Sequence, residues 1–195
     1  MPVQPQLTSY PRLRQLLNMR TALSGLLALS LAMPVMADDA ADVIKLTRAG
    51  QYAEALARAD AALAQRPRDA QMRFLKGVAL AEHNKPAEAI TVFTRLTEDF
   101  PDLPEPYNNL AVLYAAGGQY EKARTALDKA IRTNPAYATA YENLGDIHAK
   151  LASQAYEKAL QIDTRNPDTK SKLALVRNLN SYNGTFGEPK SAAAL

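Results

Sequence analysis

The sequence predicts an all-α protein, a solenoid of helix–turn–helix repeats that ends in one long fused helix and a capping helix. Three observations predict it. Pro67, Pro101 and Pro135 stand at equal intervals. An alanine precedes each of them by twelve residues, at Ala55, Ala89 and Ala123. Gly50-Gln51-Tyr52 returns two intervals later as Gly118-Gln119-Tyr120. A fixed period of about 34 residues marks stacked helix pairs, because one helical hairpin cannot bury its apolar face alone and a row of hairpins can. Such a row exposes an extended surface suited to binding other proteins.

The first element is residues 1–37. They hold Arg12, Arg14 and Arg20 and no acid, then an apolar run from Thr21 to Met33, then Pro34-Val35-Met36-Ala37 ahead of Asp38-Asp39. A basic start, an apolar middle and small residues at the end are the three parts of a cleavable secretory signal. The apolar run is shorter than the roughly 20 residues needed to span a bilayer, and Val35-x-Ala37 places small residues for cleavage after Ala37. An uncleaved anchor and a chance apolar stretch are the competing readings. Translation from Met1 and from Met19, which directly precedes Arg20, both fit the pattern.

Cleavage removes three of the 23 Lys and Arg and none of the 20 Asp and Glu, leaving 20 of each sign. The basic balance therefore belongs to the signal, and the expectation is no nucleic-acid partner. With no cysteine anywhere, the chain has no disulfide, no thiol chemistry and no lipid acceptor after the cleavage site. The expected location is periplasmic or secreted, with no membrane span once the signal is gone. The remaining chain is long enough for one domain's core.

The first repeat, 38–69, carries Tyr52, Ala55, Ala62 and Pro67, with a short first helix over about Asp38 to Ala49. In the second, 70–103, Pro86 stands at the turn and Leu96 replaces an alanine. Pro86 can open a helix, since the first helical position needs no internal N–H bond. The third, 104–137, reads Tyr107, Leu110, Ala111, Tyr114, Tyr120, Ala123, Ala130 and Pro135 around a Gly117-Gly118 turn. Gly77 and the alanines sit where two helix backbones approach, while Tyr, Leu and Phe93 fill the space between. Proline ends the second helix of each pair by lacking an N–H and by disfavouring helix in the residue before it.

Tyr107 and Leu110 recur one interval on as Tyr141 and Leu144. The whole pattern resembles the tetratricopeptide repeat over about residues 40–165. The resemblance implies a right-handed α-solenoid whose concave face is lined by the first helix, A, of each pair.

The fourth repeat, 138–164, starts normally with Tyr141, Leu144 and Gly145, and its second helix, B, is recognisable from Ala155 to Asp163, but about five residues between them are absent. No Gly, Pro or Asn follows Gly145 until Asn166, so nothing encodes a turn. Tyr141, Leu144, His148, Leu151, Ala155, Ala159 and Ile162 keep one helical stripe across the junction. One helix of about 24 residues, roughly 36 Å long, is expected. A capping helix over 168–180 presents Leu173, Val176 and Leu179 to cover it, and 181–195 reads as a frayed tail. Two readings of the long helix stand: it caps the stack, or its exposed stripe docks a partner or self-associates as a homodimer through residues such as Leu151 and Ile162.

No catalytic group, metal site or cofactor is expected. His83 and His148 have no ligand partners at helical spacing, and packing accounts for His148. No Gly-rich phosphate loop or nucleophile elbow occurs. Glu54, Glu88 and Glu121 open the B helices, where they complement the helix dipole.

The resemblance places a partner-binding groove on the A helices: Phe74, Val78 and Glu82; Glu105, Asn108, Asn109 and Val112; Glu142, Asn143 and Asp146. This lining is polar and mildly acidic. Asn109 and Asn143 occupy matching places, where an amide can donate to and accept from an extended backbone. Family members that grip a C-terminal carboxylate use lysine and arginine beside such asparagines. Here Glu142 and Asp146 stand there, so an extended segment carrying Lys or Arg fits better. The functional expectation is a non-catalytic adaptor, with structural self-association as the alternative.

Overall fold

The computed structural model of the chain describes residues 38–182, with side chains over 39–179. The expected signal peptide and most of the expected tail lie outside the described residues. Eight helices and no strands occur among them: α1 Asp38–Arg48, α2 Tyr52–Gln65, α3 Ala70–Glu82, α4 Pro86–Asp99, α5 Pro104–Ala116, α6 Tyr120–Thr133, α7 Ala138–Ile162 and α8 Pro167–Tyr182. Each packs on its neighbours in the chain, and in addition α1 touches α3 and α5 touches α7. This is the contact pattern of an α-solenoid.

The period is visible in the backbone. Gly50, Asn84 and Gly118, one interval apart in turn, take positive φ of 72°, 57° and 71° between helix A and helix B. Each closes the A helix with the same two bonds, as where Gly118 N donates to Ala115 O at 2.9 Å and Gln119 N to Tyr114 O at 2.8 Å. Glycine and asparagine tolerate this left-handed conformation best. The next position in the series is Ala152, which stays helical inside α7.

The corners after helix B repeat as well. Arg66, Phe100 and Asn134, each just before a proline, have φ of −130°, −137° and −136° with positive ψ, the extended conformation a following proline imposes. At the fourth corner Asp163 holds φ −123° and ψ 90° with no proline after it. Pro167 instead stands in the first turn of α8, where its missing N–H costs nothing.

The core runs along the stack between A and B helices. Phe93, Leu96, Leu127 and Ile147 are each 0 % exposed, as are Ala55, Ala89, Ala123 and Ala130. At Gly77 the approach is closest: an added Cβ would lie 2.6 Å from Phe93 Cε1.

The long helix is present, 25 residues of α7 without a break, but its buried face differs from the predicted stripe. Ala140, Ile147, Ala149 and Ser153 are buried and Leu144 and Leu151 half-buried, whereas Tyr141, His148, Ala155, Ala159 and Ile162 are exposed. It packs against the third repeat, where Asn143 reaches Asn108, and against α8, where Glu157 meets Arg177. A single stripe does not describe a helix with two different neighbours. His148, expected to pack, is exposed because no helix B folds back over it. On α8, Leu173 is buried and Val176 half-buried as expected of a cap, but Leu179 is 51 % exposed.

Candidate protein-interaction surface

The A helices α1, α3, α5 and α7 present the surface the sequence singles out. At the α1–α3 end it dips into a cavity of about 160 Å³, lined by Ile44, Thr47 and Arg48 of α1, Tyr52 of α2, and Leu75, Val78 and Glu82 of α3. That volume is of the order that accommodates a benzene ring. Apolar walls with Arg48 and Glu82 beside them suit one apolar side chain carried on a polar backbone.

The predicted residues divide into two groups. Phe74, Val78 and Asn108 are 9 %, 6 % and 7 % exposed, so they form the floor rather than contacts. Phe74 is committed to Phe93, with ring centroids 5.6 Å apart. Glu82, Glu105, Asn109, Val112, Asn143 and Asp146 are half-buried and Glu142 is exposed, giving a carboxylate-rich wall. Glu82, Glu142 and Asp146 also make interactions within the chain. Burial raises the Tyr137 hydroxyl above its usual range, and the nearby Glu105 carboxylate adds to the effect.

The asparagines differ from expectation. Asn109 Nδ2 donates to the Glu105 carbonyl of its own helix at 2.9 Å. Asn143 Nδ2 donates to Asn108 Oδ1 at 2.8 Å, joining α7 to α5. Side-chain partners across helices decide this, and a register alone does not contain them. Asn108→Ala should cost about 1–2 kcal/mol by stripping the acceptor from a half-buried amide. Thermal unfolding of Asn108→Ala, Asn143→Ala and the double variant checks it: strictly additive losses would mean the two amides do not interact.

Residues Ile44 and Arg48 were missed, although stepping back one repeat from Val78 and Glu82 reaches them. Of the two self-association candidates, Leu151 is half-buried against the core and Ile162 is 82 % exposed.

Two family models, described as tetratricopeptide repeat and TPR repeat, match residues 46–104 and 113–151, together about half of the chain. The chain belongs to the tetratricopeptide repeat family. Tetratricopeptide proteins mediate protein–protein interaction and are in general non-catalytic. Among curated proteins it is similar to the chloroplastic tetratricopeptide repeat domain-containing protein PYG7 of Arabidopsis thaliana, 33 % identical over 44 % of this chain and 31 % of that one. It is also similar to the photosystem I assembly protein Ycf3 of Synechococcus sp. (strain CC9311), 27 % identical over 50 % of this chain and 58 % of that one. The tetratricopeptide chain thus spans less than two thirds of these relatives' length.

Solved structures share the tetratricopeptide fold. A structure described as the functional characterization of Pseudomonas aeruginosa pilF aligns with TM-score 0.53 at 18 % identity, covering 75 % of this chain and 71 % of that one. The MamA protein aligns with TM-score 0.51 at 18 % identity, covering 77 % and 88 %. Among the described residues no helix is long and apolar enough to cross a membrane, and no group of three His, Asp or Glu is placed to hold a metal ion.

Proposed function

We propose that this chain is an exported, non-catalytic adaptor of the bacterial periplasm that binds an extended segment of another protein along its A helices. The cavity between α1 and α3 carries the reading, since it offers a seat for one apolar side chain on the surface where the repeat architecture exposes its A helices. Carboxylates at Glu82, Glu105, Glu142 and Asp146 against Arg48 favour a segment with Lys or Arg beside that anchor. The similarity to proteins named for photosystem I assembly supports a role in bringing other proteins together. The 1–37 pattern supports export.

The test is a crosslinking pull-down from periplasm with the full-length protein and its Thr47→Trp variant. The indole fills the cavity from a half-buried position, and partner recovery should fall about tenfold or more. Equal recovery with both forms would place binding elsewhere. The mass of the recovered bait also tests export, since processing after Ala37 leaves a chain starting at Asp38.

A further inference from the structure

The fused fourth repeat separates two packing faces that fit each other, one open at Gly145 and one carrying the half-buried Tyr156. In repeats 1–3 one residue of helix A, recurring at the repeat interval, and a central residue of helix B are buried in the same core, and their sizes compensate. The pairs are Val43 with Ala59, Gly77 with Phe93, and Ala111 with Leu127; all but Gly77 are 1 % exposed or less, and Gly77 is buried beneath Phe93. The same positions in repeat 4 are Gly145 and Tyr156, again a glycine with an aromatic ring. Yet these two lie eleven residues apart on one unbroken helix, about 16 Å along its axis at 1.5 Å per residue. They cannot touch within one chain.

Exposure shows the same vacancy. Where Gly77 is pressed against Phe93, a Cβ on Gly145 would meet nothing within 4 Å. Ala126 and Ala130 are 9 % and 0 % exposed on α6, while their counterparts Ala155 and Ala159 on α7 are exposed. The side of α7 that a following A helix covers is occupied, since α8 packs there with Leu173 buried and Arg177 Nη2 donating to Glu157 Oε1 at 3.0 Å. In the closed repeats α4 and α6 each hold their own A helix and the next one at once. The occupied side therefore leaves the other side of α7 available.

We propose that two copies of this chain pair their α7 helices antiparallel, each supplying helix B to the fourth helix A of the other. The A–B interface that the fold establishes three times is thereby continued between molecules, a reciprocal exchange of an identical element. The register closes on itself. Pairing Gly145 with the partner copy's equivalent of Tyr156 puts the two-fold axis between Lys150 and Leu151, and the second Gly–Tyr pair then forms by symmetry. Tyr141, Gly145, His148, Ala152, Tyr156 and Ala159 follow at steps of three and four, the spacing of one helix face. This pairing is independent of the peptide-binding role and uses a different surface.

Light scattering on the full-length protein should give twice the mass of the 21.2 kDa chain, or twice that of its processed form. Gly145→Leu should give half that mass with unchanged helical circular dichroism, because leucine has open space in the single chain but fills the seat. The chain has no cysteine, so orientation can be read directly: oxidising a mixture of His148→Cys and Ala152→Cys chains should link the two kinds to each other across the axis. A native protein that stays monomeric at its highest soluble concentration would overturn the proposal. So would a Gly145→Leu variant that remains a dimer, or an Ile162→Cys variant that crosslinks to itself as a parallel pair.

Discussion

Phe93→Ala lowers the unfolding free energy by about 3–5 kcal/mol, the cost of removing a fully buried aromatic ring and leaving most of its volume empty. The ring is 0 % exposed and is held from two sides. Phe74 tilts against it at 57°, and the Gly77 backbone lies so close that no Cβ fits between. Neither neighbour can follow the ring into the gap, since α3 is itself fixed by α2 on its other side. Against a total stability of about 5–15 kcal/mol for a domain, this loss takes a large share. Urea unfolding followed by circular dichroism measures it, and a loss below about 1 kcal/mol would mean that the second repeat closes without the ring.

Gly77→Ala should cost about 1–3 kcal/mol by overpacking, because the new methyl carbon would sit 2.6 Å from Phe93 Cε1 and 2.7 Å from Cζ. The repair is written elsewhere in the chain. Repeat 3 carries Ala111 and Leu127 at the same two positions, 1 % and 0 % exposed. Adding Phe93→Leu to Gly77→Ala transplants that pair, and the double variant should be more stable than the sum of the single losses by about 1 kcal/mol or more. A double variant whose losses simply add would contradict the size compensation between A and B helices.

The solenoid was legible because its determinants are local and repeated. Pro67, Pro101 and Pro135 fix the corners by their own chemistry, and Gly50 and Gly118 announce two of the three left-handed turns. The third, at Asn84, reads less plainly because asparagine reaches that conformation without being confined to it. The break in α7's pattern was equally plain, since a turn needs residues that the chain does not place there. Which side of α7 is buried was not, because its two halves answer to different neighbours. Leu151 leans on the third repeat, while Ala155 and Ala159 face away from α8.

The candidate groove was legible as a set of helix faces and illegible as a set of free groups. Projecting the repeat finds Glu105, Val112 and Asp146 on one side of their helices. It does not show that Asn143 reaches back to Asn108 on α5, or that Phe74 turns inward to Phe93. Such facts depend on distances between helices, which depend in turn on every side chain packed between them.

The unbroken course of α7 has a consequence in time. Proteins that trade an element between copies ordinarily have to break a closed intramolecular contact first, and the barrier to that opening makes the exchange slow and often trapped. Here the unbroken helix holds no closed form to open, and both halves are already folded on their own neighbours in the single chain. In the proposed pairing, association proceeds at the pace of orientational encounter, and dilution is expected to separate the copies without either one unfolding.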